Sequence, residues 1–204
     1  MMRWTVLLLV LLPSLATAAD FSDPDWPCIQ RKVPHLSVGQ MWVGPPISEQ
    51  DLKIWRDDAD VAALAPALAL RRTSDEDVAA LIETLAERLD EQREAKMTRL
   101  FAGTFALIER ERSQIISGIG RYAKTQTALT AAIEKSQNKL TELLAIENPD
   151  FDTQDRIEEL EDKIQWDTRI YKDRQQSLSF VCETPVILER RAFSIARAIM
   201  EKLE

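Results

Sequence analysis

Apolar residues recur every seven positions between Phe101 and Leu143, in two frames that are offset by four residues. The frames are Phe101, Ile108, Ile115, Tyr122, Leu129, Ser136 and Leu143, and Phe105, Arg112, Ile119, Gln126, Ile133, Leu140 and Glu147. Two such frames form the seam of a coiled coil, whose apolar side chains are buried against a partner helix. The pattern therefore predicts a long helix that packs along its length against another helix.

The start of this helix is predicted at Thr73 and Ser74, whose hydroxyls precede three acidic residues that favour the N-terminal end of a helix dipole. No proline follows until Pro149, so the simplest prediction is one helix over about 75–147. Its apolar stripe changes register at Arg93. The part before that point has a separate apolar face, formed by Val78, Leu81, Ile82, Leu85 and Leu89.

The sequence Asn148-Pro149-Asp150 predicts a short turn, with Asp152 or Thr153 capping the helix that follows. A turn this short favours an antiparallel hairpin, in which facing residue numbers sum to about 300. Apolar residues then face each other along both arms, and a kink or restart is expected at Pro185. The pairs far from the turn are Ile108 with Ala192, Phe105 with Ile195, Phe101 with Ile199 and Met97 with Leu203.

Two polar layers interrupt the predicted seam. Gln126 falls opposite Arg174, and such a layer more often fixes the register of a coiled coil than binds a ligand. Asp167 falls opposite an isoleucine, a mismatch that rotation of Trp166 or Ile170 into the seam would relieve.

Residues 20–47 have a different composition, with five prolines and two tryptophans. Prolines at this density prevent a long helix, whereas the apolar content is too high for a solvated tail. The pattern predicts a loop-rich strap laid across the helices. Cys28 in this strap and Cys182 are the two cysteines of the chain, which favours one disulfide over two free thiols or an intermolecular bridge. Because Cys182 falls opposite Gly118, with Gly120 nearby, we expect the strap to cross there and the glycines to make room.

Residues 1–19 have the three parts of a secretory signal: Arg3, an apolar core at 4–12, and small residues before cleavage after Ala18 or Ala19. The apolar run of about nine residues is much shorter than the roughly 20 needed to span a bilayer. We therefore expect cleavage, a periplasmic location and no transmembrane segment in the mature chain.

The predicted fold class is all-α: a long antiparallel helical hairpin, a short N-terminal helix between Ser48 and Pro66, a proline- and tryptophan-rich strap, and one disulfide. The predicted boundaries give a signal peptide at 1–19, the strap at 20–47 and a helical domain at 48–204.

The residue types that support catalysis are scarce. The single histidine, His35, lies in the proline-rich region, and the sequence has no phosphate loop, nucleophile elbow or Glu-x-x-His motif. The formal net charge of −8 becomes −9 once residues 1–19 are removed, which argues against binding to nucleic acid. We expect neither a cofactor nor a metal ion, and we do not expect an enzyme.

The leading hypothesis is a non-enzymatic coiled-coil interaction protein, an adaptor or structural subunit of an envelope assembly. Its partner would be another envelope protein or a second copy of the chain. The alternatives are a periplasmic holdase-type chaperone, and a cell-envelope enzyme or the regulator of one. The apolar face at 78–89 is the candidate interface, because the hairpin ends before reaching it. The competing interpretation is that the helix from Leu52 to Leu64 covers this face and makes it core.

Overall fold

A computed structural model describes residues 23 and 25–203. The predicted signal peptide at 1–19 and its cleavage points lie outside the described residues. All regular secondary structure in the described part is helical, which confirms the predicted fold class. The elements are α1 (Val38–Met41), α2 (Asp51–Ile54), a 3₁₀ helix (Trp55–Asp57), α3 (Ala59–Ala69), α4 (Asp75–Ala86), α5 (Arg93–Leu144) and α6 (Phe151–Met200).

Helices α5 and α6 form the predicted antiparallel hairpin, with 52 and 50 residues respectively. At 1.5 Å per residue each arm is roughly 75–80 Å long. In the turn, Asn148 adopts a positive φ of 58°. Asp150 then caps α6, because its carboxylate accepts a hydrogen bond from the Thr153 amide at 2.8 Å. The predicted cap at Asp152 or Thr153 was therefore wrong by two or three residues.

The expected single helix over 75–147 is broken between Ala86 and Arg93. The chain turns here as the Leu89 amide donates to the Ala86 carbonyl at 3.1 Å. The break follows from the change of register in the apolar stripe. Two separate helices can bury both faces. Leu89, which precedes α5, is 7% exposed, and Met97, which lies in α5, is 0% exposed.

The predicted helix between Ser48 and Pro66 is also divided. It consists of α2, the 3₁₀ helix and α3, and the Asp58 carboxylate caps α3 by accepting from the Val61 amide at 3.3 Å. The predicted end at Pro66 was wrong, because α3 continues to Ala69. Leu68 is fully buried beyond the proline, so packing keeps this last turn helical.

The main core lies at the base of the hairpin, where α1–α4 pack around the N-terminal part of α5 and the C-terminal part of α6. The Trp42 ring from the strap stacks on Phe101, with ring centroids 4.7 Å apart. The Trp55 ring packs against Gly103, where an added Cβ atom would lie 2.8 Å from the ring. That position therefore requires glycine, although it is in the interior of a helix.

Helix α6 continues without a break through Pro185, so the expected restart there was wrong. The two side chains expected to relieve the seam mismatch at Asp167 differ in exposure. Trp166 is 63% exposed rather than rotated into the seam, and Ile170 is half-buried. The Asp167 carboxylate instead accepts a hydrogen bond from the Lys163 ammonium at 2.6 Å.

Candidate interaction surfaces

The candidate interface at 78–89 is part of the core of the chain. Val78, Ile82 and Leu85 are at most 2% exposed, Leu89 is 7% exposed and Leu81 is half-buried. The interface prediction is therefore corrected in favour of the competing interpretation that this face is core. The physical reason is the break after α4, which lets this helix pack against both α6 and α3. An ion pair between Glu83 and Lys202 fixes α4 to the C-terminal end of α6.

The predicted disulfide between Cys28 and Cys182 is confirmed, with the two Cα atoms 5.6 Å apart. The strap crosses the hairpin close to the expected level, because a Cβ atom added at Gly120 would lie 3.6 Å from the Asp25 carbonyl oxygen. This is an ordinary van der Waals distance, and an added Cβ at Gly118 would approach only the Arg121 side chain. The expectation that the glycines make room was therefore wrong.

Two charged residues of α5 hold the strap on the hairpin. Arg112 is 3% exposed and donates hydrogen bonds to the Val33 carbonyl at 2.6 Å and the Pro185 carbonyl at 3.3 Å. The Glu109 carboxylate accepts from the Leu36 amide at 3.2 Å and lies 3.0 Å from Nδ1 of His35. The sequence signal of this contact was Arg112, a charged residue at a seam position, but the sequence did not show that the strap would be its partner.

Burial lowers the pKa of the Arg112 guanidinium, whereas the nearby carboxylates of Glu109 and Glu189 act in the opposite direction. Arg112 connects the strap and α6 from within α5, because its two hydrogen-bond acceptors belong to those two segments.

Arg112→Met is expected to lower the free energy of unfolding by about 2 kcal/mol, because it removes two hydrogen bonds from a buried charged donor. It should also loosen the strap, so that trypsin cleaves faster after Arg31 and Lys32. Urea unfolding and timed trypsin digestion measure the two effects. Arg110→Met is the matched control, because Arg110 is exposed on the same helix. Equal cleavage rates in the two variants would contradict the assigned role of Arg112.

A cavity of about 430 Å³ lies between the strap and the hairpin, beside the disulfide. Gln126 lines it and donates from Nε2 to the Tyr171 carbonyl at 3.2 Å, so this polar layer connects the two arms of the hairpin. The Oε1 atoms of Gln126 and Gln30 are buried without a hydrogen-bond partner among the described residues. The polar groups of this cavity are mainly amides and hydroxyls. Among the described residues, no cluster of His, Cys, Asp and Glu is arranged to hold a metal ion.

The distal part of the hairpin has a different character from the base. Within 124–181, a range that the structure describes throughout, Ser136 is the only buried residue. Three large apolar side chains are exposed around the turn: Leu144 at 59%, Ile146 at 46% and Phe151 at 77%. They lie within eight consecutive residues, and we call these three residues the tip surface.

The tip surface lies in the most acidic segment of the chain. Residues 142–162 contain nine acidic residues and one basic residue, a net charge of −8, which equals the formal charge of the whole chain. Outside this segment, 25 acidic and 25 basic residues balance. Sequence reasoning missed this region because it treated acidic residues on a coiled coil as solvated flanks. The signal that would have found it was their concentration around apolar residues at the turn.

Comparisons of the chain with protein-family models, with curated proteins and with solved structures gave no match. None of the described helices combines the length and the apolar character needed to cross a membrane. The proposals below therefore depend on the geometry and charge of the chain itself.

Proposed function

We propose that this chain is a secreted, non-enzymatic interaction protein of the cell envelope, in which the hairpin holds a docking surface away from a compact base. The observation that carries the proposal is the exposure of Leu144, Ile146 and Phe151 at the end of the hairpin. Large apolar side chains that cluster on a surface favour contact with a partner protein.

The base supports this assignment because the apolar residues of its core are covered, although Val43, Ile187 and Phe193 remain exposed there. Phe101, Leu188 and Ile199 are fully buried there, and the face at 78–89 is packed within the chain. The strap also connects the two arms. Its Cys28 is bonded to Cys182 of α6, and its residues 33–36 are hydrogen-bonded to α5. A rigid base of this kind keeps an exposed tip at a fixed distance and in a fixed orientation.

The secreted location is supported by the disulfide, because such bonds persist in oxidising compartments and are rare in the cytosol. It also agrees with the signal-like pattern of residues 1–19. The periplasm is the compartment that we propose.

Photo-crosslinking in the native cell tests the docking surface. We expect a photoreactive residue at Phe151 or Ile146 to capture one dominant protein at a stable stoichiometry. The matched control is Val43, which is also apolar and is 85% exposed, but lies in the strap at the base. The same partner should not be captured from that position.

Two results would contradict the proposed function. Capture of many unfolded envelope proteins from both the tip and Val43 would favour the holdase alternative. Absence of any crosslink from the tip would remove the tip surface as a docking site.

A further inference from the structure

We propose that the tip surface docks on a folded protein whose contact surface is an apolar pocket bordered by lysine and arginine residues. This inference rests on the proposed function and specifies the chemistry of the partner. The juxtaposition that carries it is an exposed apolar cluster at 144–151 inside the segment 142–162, which carries a net charge of −8.

Most of the acidic residues around the tip are available to a partner, the exception besides Glu142 being Asp150, which caps α6. Of the nine in segment 142–162, only Glu142 pairs with a basic side chain of the described residues, Lys139, at 2.8 Å. In the base, Asp58 and Asp60 are paired with Lys96, whereas the described residues provide no basic partner for Glu87, Glu91 and Glu94. Negative charge that is not neutralised within the chain favours a positively charged partner surface.

The apolar residues specify the centre of the contact. Phe151 is the first residue of α6 and is 77% exposed, so its ring projects where the turn meets the helix. Interfaces commonly consist of a desolvated apolar or aromatic centre with a polar rim. The tip surface has the apolar and aromatic composition of such a centre. The surrounding carboxylates have the polar composition of such a rim.

The charge also disfavours two other classes of partner. Nucleic acids carry a dense negative charge, and proteins bind them through lysine and arginine side chains. Anionic membrane surfaces attract basic segments and repel acidic ones. A basic protein surface is the partner class that satisfies both the charge and the apolar cluster.

The test uses the protein captured by crosslinking at Phe151, purified and bound to the full chain in stopped-flow measurements. The tip variant removes four exposed charges and leaves the apolar residues unchanged; its substitutions are Glu147→Gln, Asp152→Asn, Asp155→Asn and Glu158→Gln. The control variant removes four exposed charges elsewhere; its substitutions are Glu87→Gln, Glu91→Gln, Glu94→Gln and Asp173→Asn.

We expect the tip variant to associate at least about tenfold more slowly, because complementary charges mainly accelerate the encounter of two proteins. A similar fall is expected for the unmodified chain when NaCl is raised from about 50 to 500 mM. The control variant should associate at close to the unmodified rate.

The outcomes separate the two proposals. Association that is unaffected by the tip substitutions and by salt would overturn the basic-partner inference while the docking function stands. Equal slowing in both variants would also overturn it, because net charge alone would then be the cause. Absence of a crosslink at Phe151 would overturn both proposals.

Discussion

Leu85→Asp is expected to unfold the helical base. The Leu85 side chain is 2% exposed in the core between α4, α3 and α6. Truncating a buried leucine costs about 2–5 kcal/mol, and an unpaired buried carboxylate costs several kcal/mol more. The combined loss is comparable to the total stability of about 5–15 kcal/mol for a typical domain. Far-UV circular dichroism should show loss of the cooperative thermal transition.

The matched control is Leu144→Asp at the hairpin tip, where the replaced side chain is 59% exposed. The free energy of unfolding of this variant should lie within about 0.5 kcal/mol of that of the unmodified chain, because most surface substitutions have small effects. If Leu85→Asp instead melted like the control, the assignment of the 78–89 face to the core would be contradicted. That face would then again be a candidate partner surface.

The hairpin was predictable from the sequence because two simple constraints coincide. A heptad seam requires a partner helix, and the short turn around Pro149 supplies that partner from the same chain. The pairs predicted for the base are consistent with the structure, in which Phe101, Ile199, Ile108 and Ala192 are fully buried. Sequence periodicity is sufficient here because each arm repeats the same pattern over many turns.

The break between α4 and α5 was not predictable with the same rules. Residues 87–92 contain no glycine or proline, and their local preferences permit a continuous helix. The chain turns there because two apolar faces in different registers are each buried by different neighbours. The contact of Trp55 with Gly103 is another tertiary effect, since it joins positions 48 residues apart.

The interaction surfaces were predicted less well than the fold. The sequence indicated an apolar face without a partner at 78–89, and the structure covers this face internally. The heptad pattern did not indicate the tip surface, because it includes Leu143 in the seam but makes no prediction for Leu144, the next residue. A residue just outside a seam is exposed or buried according to what packs beside it. The heptad pattern contains no information about that neighbour.

Removing the disulfide is expected to cause the other large loss of stability. The bond joins residues 154 positions apart, and the chain-entropy model assigns about 5 kcal/mol to a loop of this length. Measured losses for native disulfides are typically about 2–5 kcal/mol. The double variant Cys28→Ser/Cys182→Ser should therefore melt about 4–20 °C lower, since 1 kcal/mol corresponds to roughly 2–4 °C at this chain length.

Differential scanning calorimetry with and without reductant separates the bond from the side-chain changes. The unmodified chain should lose the same stability when it is reduced, and the variant should not respond to reductant. The strap should also become accessible to trypsin at Arg31 and Lys32, because the remaining anchors at Arg112 and Glu109 hold residues 33–36 rather than the segment before them. A melting temperature that changed by less than about 2 °C would mean that these anchors alone keep the strap in place, and that the disulfide contributes little to the rigidity of the base.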